Sequence, residues 1–215
     1  MVYADRQEAG RKLAALLSEF SGRDDVIVLA LPRGGLPVAK EIAEALTAPL
    51  DVLVVRKLGV PWQPELAAGA IAPGGVVVLN RELQAEIAGL NTTLEPVVAR
   101  ERAELQRREA LYRTNRPPLE VCGRTAIVVD DGIATGATME AAVLALRAMH
   151  ASSVVIAVPV APPHTVQRLT RLADRVVCLQ QPFSFFAVSQ WYAEFPQVSD
   201  AQVIAMLAPE ARAQA

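Results

Sequence analysis

Five short stretches of this chain are almost continuously apolar and rich in branched side chains: VIVLAL at 26–31, DVLVVR at 51–56, AIVVD at 126–130, SVVIAVPV at 153–160 and RVVCL at 175–179. A strand that faces water on one side alternates apolar and polar residues. These runs do not alternate, so each reads as a strand covered on both faces. Helical patterns follow the first, third and fourth runs, in LPVAKEIAEAL, TMEAAVLALRAM and HTVQRLTRLA. Strand and helix in turn specify an α/β fold: a doubly wound, mainly parallel sheet flanked by helices. With 215 residues, 52% of them hydrophobic, the chain is long enough for one such core, and a single domain over 1–215 is expected.

Other segments fall outside this alternation. Asp5 followed by Glu8 fits a helix-opening cap, and Leu13, Leu16, Leu17 and Phe20 share one face of a peripheral helix ending near Ser21-Gly22. Between the second and third runs lies an excursion over 57–124. It opens with LGVPWQPELAAGAIAPGG, whose Pro and Gly content points to a mobile loop and hairpin. It continues through RELQAEIAGLNTTLEPVVARERAELQRREALYR, where Arg and Glu alternate and apolar residues are sparse. Two readings stand for this charged helical insertion: a solvated face laced with ion pairs, or a partner surface, foremost for another copy of the chain. After the fifth run, QQPFSFFAVSQWYAEFPQVSD gathers aromatic residues that are scarce elsewhere.

Composition excludes several classes. A formal charge of −2 gives no support for a broad electrostatic grip on nucleic acid or an anionic membrane. Cys122 and Cys178 lack CxxC spacing, and with His150 and His164 they form no usual zinc pattern. The segment MVYADRQEAGRKLAALL has no uninterrupted apolar stretch, and nothing reaches the roughly 20 apolar residues of a membrane span. The expectation is a soluble, cytoplasmic, disulfide-free protein without a nucleic-acid or membrane partner.

The chemistry concentrates in AIVVDDGIATGAT, residues 126–138. In an open parallel sheet the carboxyl ends of strands release the chain into ligand-binding loops, which puts Asp130 and Asp131 on the functional rim. Gly132, Ala134, Gly136 and Ala137 then offer little bulk, Thr135 and Thr138 offer hydroxyls, and a helix follows. Successive backbone N–H groups at a helix start form a cradle for phosphate. Two carboxylates beside a phosphate would repel it unless they serve another group, and the vicinal hydroxyls of a ribose carrying that phosphate are such a group. A Walker loop would need Lys after its glycine, and the GxGxxG dinucleotide fingerprint is absent.

The run AIVVDDGIATGATMEAAVLAL resembles the phosphoribosyl pyrophosphate signature of the type I phosphoribosyltransferases, covering strand, acid pair, loop and helix in order. The resemblance implies that Asp130 and Asp131 hold the ribose hydroxyls while Ala134, Thr135, Gly136, Ala137 and Thr138 hold the 5'-phosphate. LPRGGLPVA, with Pro32, Arg33, Gly34 and Gly35, looks like the family's pyrophosphate loop, where a cis peptide between Pro32 and Arg33 is implied. The plain alternative is an ordinary tight turn with an exposed arginine. Arg56 and Lys57 stand where the family starts a flexible loop, as candidate pyrophosphate ligands or as surface charge at a strand end. Glu65 and Trp62 are weaker candidates on that loop.

The aromatic segment matches the family's hood over the base, here within 180–215, and Phe185 or Phe186 could stack on a planar acceptor. Trp191, Tyr192 and Phe195 read better as core, and His164 as a surface residue near a helix cap. Ala134 departs from the hypoxanthine–guanine enzymes, which carry Asp there, so the acceptor is left open. The resemblance as a whole is to bacterial phosphoribosyltransferases of unassigned substrate. It implies a magnesium-dependent transfer from phosphoribosyl pyrophosphate to a base-like small molecule, with Arg33, Lys57, Asp130 and Asp131 in catalysis and magnesium held mainly through substrate oxygens and water near Asp130 and Asp131. A homo-oligomer is expected. The rival readings are a non-catalytic sensor of the same ligand and a purely structural assembly module.

Overall fold

The computed structural model describes residues 1–208 except 88 and 115, so the last part of the 180–215 hood region, 209–215, lies outside the described residues. Five parallel strands run in the order β2-β1-β6-β7-β8: β1 Val26–Ala30, β2 Leu50–Val52, β6 Thr125–Val129, β7 Ser153–Val160 and β8 Arg175–Gln180. Alternate residues of each strand serve opposite faces. Val26, Val28, Ala30, Ile127 and Val129 pack under helices α1 Arg6–Leu16 and α2 Gly35–Leu46, with the later helices α4 Leu90–Tyr112 and α7 Asp200–Leu207. Ile27, Leu29, Ala126, Val128 and Ile156 pack under α5 Ala137–Ala148 and α6 Pro163–Leu169. That two-sided burial is why the strands carry no polar alternation.

The first helix is not peripheral. Asp5 caps it by accepting from the Glu8 amide at 2.7 Å, as its sequence suggests, but Leu13 and Leu17 are fully buried in the core and α1 lies along α2.

The second apolar run also differs from expectation. Only Leu50–Val52 pairs with β1, and the last ladder bond runs from the Leu53 amide to Ala30 at 2.9 Å. Beyond Ala30 the β1 chain turns away, so Leu53, Val54 and Val55 have no strand to pair with. They are apolar because they are buried between the layers.

The opening of the excursion forms the expected hairpin, extended by a third strand into a second sheet rather than a loop. β3 Arg56–Val60, β4 Gln63–Ile71 and β5 Val77–Leu79 pair antiparallel in that order, with register shifts around Gly59. A short helix, α3 Arg81–Glu86, leads to the 23-residue α4. Among its described residues α4 presents a stripe at three- and four-residue spacing: Leu94, Val98, Glu101, Leu105, Arg108, Tyr112. Leu94, Leu105 and Tyr112 are buried, and the ion pair of Arg107 with Glu104 lies on the outer side, as a solvated face would have it. The inner side is a packing face, which the two polar members of the stripe conceal in the sequence.

Asp51 ties this insertion to the parallel sheet. Its carboxylate accepts from Arg113 Nε and Nη2 at 3.1 and 2.9 Å, pairs with Arg116 at 3.1 Å, and accepts from the Val52 amide at 2.8 Å. Among the described residues no helix is long and apolar enough to cross a membrane. Removing the carboxylate with Asp51→Ala strands the Arg113 guanidinium, whose side chain is 11% exposed, and should cost about 3–5 kcal/mol in chemical denaturation. Arg107→Ala, on the exposed face of the same helix, should stay within about 0.5 kcal/mol of the parent.

Candidate functional site

Two loops leave the sheet side by side. The β1–β6 register pairs Ala30 with Val129, so the loops after these strands start level, and the Leu31 amide still reaches the Val129 carbonyl at 2.8 Å. The loop after β1 carries Pro32, Arg33, Gly34 and Gly35, and its Pro32–Arg33 peptide is cis. The loop after β6 carries Asp130 and Asp131.

The glycines answer to protein rather than to open space. A Cβ on Gly34 would fall 2.1 Å from Asp131 Oδ2, and one on Gly35 would fall 2.5 Å from the Val129 carbonyl oxygen. Glycine at 34 and 35 lets the acid-pair loop lie directly on its neighbour.

The second half of the β6 loop is braced from the next crossover. Gly136 takes φ +81° at the start of α5, with no side chain capping the helix. A Cβ there would also lie 2.9 Å from Thr165 Cγ2. The first-turn amides of α5 are therefore left to an incoming acceptor. The buried Thr165 hydroxyl donates to Ala134 O at 3.0 Å, and Arg168 bonds both Thr135 O and the Glu140 carboxylate. Thr165 and Arg168 have no signal in their local sequence. His164, in the first turn of α6, is exposed.

Asp131 is not a free carboxylate. Arg6, from the first turn of α1, donates Nε to Asp131 Oδ2 at 2.8 Å. The Tyr192 hydroxyl donates to the Asp131 carbonyl, and the Asp131 amide donates to Asp130 Oδ1 at 2.9 Å. Burial, and then the charge of Asp131, push the Asp130 carboxyl well above the ordinary range. Burial raises Asp131 too, against the opposing pull of Arg6. Burial likewise raises the Tyr192 phenol.

Pro32 divides two hollows. One, of about 370 Å³, is lined by Arg6, Arg33, Gly34, Asp130, Asp131 and Phe195 among others. The other, of about 530 Å³, is lined by Pro32, Arg56, Lys57, Glu101 and Thr138 among others, and α4 forms its outer wall.

The predicted cations fall into different settings. Arg33 reaches Asp200 at 3.5 Å, and the same carboxylate oxygen accepts from Tyr112 at 2.6 Å. Arg56 is bound by Glu101 at 2.5–2.7 Å, which neutralises it. Lys57 stands at the larger hollow with Thr138. Trp62 is exposed, and the side chain of Glu65 lies outside the described residues.

The aromatic segment divides differently from its sequence reading. Phe185 stacks on Trp191 with ring centroids 6.4 Å apart, and Phe186 is 83% exposed; neither lines either hollow. Phe195, read as core, does pack half-buried against Tyr192, and it also lines the smaller hollow with the acid pair. Tyr192 is buried as expected, but it is also a partner of Asp131.

Comparison with known proteins bears on this arrangement. The family model described as "Phosphoribosyl transferase domain" matches residues 3–193. A crystal structure of the protein TT1426 from Thermus thermophilus superposes with a TM-score of 0.89 and 43% identity, covering 96% of this chain and 98% of that one. Two Mycobacterium tuberculosis proteins, named "Putative phosphoribosyl transferase MT0597" and "Putative phosphoribosyl transferase Rv0571c", are 51% identical over 206 residues. That match takes in 96% of this chain but 46% of theirs, so the chain spans about half the length of these curated relatives. With the parallel sheet, the acid pair and the small-residue loop already in place, the match over residues 3–193 makes the chain a member of the phosphoribosyl transferase family.

Proposed function

We propose that this protein transfers the 5-phosphoribosyl group from phosphoribosyl pyrophosphate to a nitrogenous, base-like acceptor and releases pyrophosphate. One observation carries the reading: the acid pair lies against the glycine loop after β1 and continues into an uncapped helix start braced by α6. A phosphate on the amides of residues 134–138 puts the attached ribose at Asp130 and Asp131. The leaving group then falls toward Arg33, Gly34, Gly35 and Lys57. Arg56 shapes the larger hollow through Glu101 rather than meeting the pyrophosphate as a free charge.

The reaction asks the protein for placement more than covalent help. The bond from C1' to the pyrophosphate oxygen breaks with its electron pair leaving on pyrophosphate, and a bond from C1' to the acceptor nitrogen forms. The sugar carbon is cation-like in between. Fixed carboxylates near the ring oppose that developing charge, and fixed cations receive the departing one. With Ala134 in the loop, no side chain at that position takes the acceptor's proton, which passes to solvent.

Among the described residues no group of three or more His, Cys, Asp or Glu side chains could hold a metal ion. Asp131 is moreover engaged by Arg6. A magnesium ion would sit near Asp130 and Asp131, held mainly by substrate oxygens and water, and would supply neutralisation of the leaving charge.

Two outcomes check the reading. The double variant Asp130→Asn, Asp131→Asn should lower acceptor-dependent pyrophosphate release, measured with magnesium across a panel of nucleobases and small heterocycles, by roughly 100-fold or more. Unchanged release would refute the assignment, and ligand binding by the parent with no release for any acceptor would leave a sensor. The second outcome follows from the raised Asp130 carboxyl. A folded-state value above the unfolded one of about 3.9 means that folding takes up a proton, so this group's contribution is full at low pH and is lost as pH rises through the folded value. Asp130→Asn should therefore raise the thermal midpoint at pH 7, and the gain should shrink as the pH approaches about 4.

A further inference from the structure

Among the described residues Arg6 is the one buried arginine, 7% exposed, and it reaches the site from the opposite end of the chain. Its guanidinium is held in three directions at once. Nε donates to Asp131 Oδ2 at 2.8 Å, Nη1 donates to the Pro196 carbonyl at 2.8 Å, and Cζ lies 3.8 Å from the Phe195 ring centroid. A planar fork with a stackable face meets those demands together, and a lysine ammonium does not.

The ground on which Arg6 stands is itself fixed. The segment before α1 pairs with the strap after the aromatic loop: Tyr3 N to Trp191 O at 2.8 Å, Ala193 N to Tyr3 O at 2.7 Å, and Glu194 N to Ala4 O at 2.9 Å. The Tyr3 hydroxyl donates to the Pro159 carbonyl at 2.9 Å, anchoring the segment to β7. From the far side Gly34 presses on the same carboxylate that Arg6 holds. Asp131 is thus clamped between a guanidinium and a bare backbone, with Asp130 beside it and Tyr192 on its carbonyl.

We infer that Arg6 is a positioning residue for sugar recognition: it fixes the Asp131 carboxylate in one orientation toward the ribose diol and balances one of the pair's two charges, so that an anionic phosphosugar can approach. The inference rests on the reading of Asp130 and Asp131 as the diol site. A role confined to stability would leave discrimination between sugars untouched, since it would act on all ligands alike.

The experiment uses metal-independent probes. Affinities for ribose 5-phosphate and 2-deoxyribose 5-phosphate are titrated on the whole chain, on Arg6→Gln and on Arg6→Lys, with thermal midpoints recorded for each. The parent should prefer the ribose compound. Arg6→Gln should weaken ribose 5-phosphate by about tenfold, the order expected for a charge-assisted contact, while leaving the deoxy compound within about twofold. Arg6→Lys, which restores charge without the directed bonds, should fall between them. It also carries the test if the glutamine variant does not fold. Retention of the full ribose preference in whichever variant is folded overturns the role of Arg6 alone. Absence of any ribose preference in the parent overturns the diol reading beneath it.

Discussion

Adjacent strands that end level deliver their loops into the same space, and the carboxyl edge of β1 and β6 is built on that conflict. It is resolved by removing side chains from one loop so that the other can lie upon it. Gly34 accepts the Asp131 carboxylate and Gly35 accepts the Val129–Asp130 backbone. Every other feature of the site follows from this contact. It sets the height of the acid pair above the sheet, keeps Arg33 at the same rim, and leaves the β6 loop free to run on into the start of α5. A methyl group at either position would separate the two halves of the site before it touched any ligand.

Charge around this contact comes in local pairs rather than as a broad field. Glu101 holds Arg56, Asp200 holds Arg33, Glu140 holds Arg168 and Asp131 holds Arg6. The chain as a whole carries a formal charge of −2, so the site's polarity is an arrangement of near-neutral units. Such an arrangement is oriented by the fold itself, which is the condition under which the electrostatic placement proposed for this site would contribute most. The insertion belongs to the same scheme: α4 supplies Glu101 and Tyr112, and Asp51 locks its far end to β2.

What the sequence discloses depends on whether the relevant residues are contiguous. The strands at β1, β6 and β7 are legible because burial on both faces imposes unbroken apolar runs, and the edge strand β8, half-buried, still carries a short one. At β2 the same signal overshoots, since Leu53–Val55 is buried without being paired. The antiparallel sheet is legible only as a hairpin, because small residues, Ala68, Gly69 and Ala70, share its interior packing with Leu58, Val60 and Ile71, and the inner stripe of α4 is hidden by Glu101 and Arg108. In the site, both loops are readable as short motifs because each carries its chemistry within a few residues. Arg6, Thr165, Arg168 and Asp200 are not readable, since each meets its partner across a long sequence separation, 125 residues for Arg6 and Asp131. Phe195 is equally hidden, because an aromatic in a cluster looks like packing until the chain is folded around it.

The pairing of residues 3–4 with 191–194 has a bearing on how such a scaffold could change its preferences. It stitches the strap to the opening segment and to β7, so the part of the C-terminal region that touches Asp131 is held together with the Asp131 loop. The aromatic loop just before it escapes this stitching: Phe183 is 97% and Phe186 is 83% exposed. Mutational drift in 183–187 can therefore reshape one margin of the protein while the strap, Tyr192 and the Asp131 loop that it holds stay as they are.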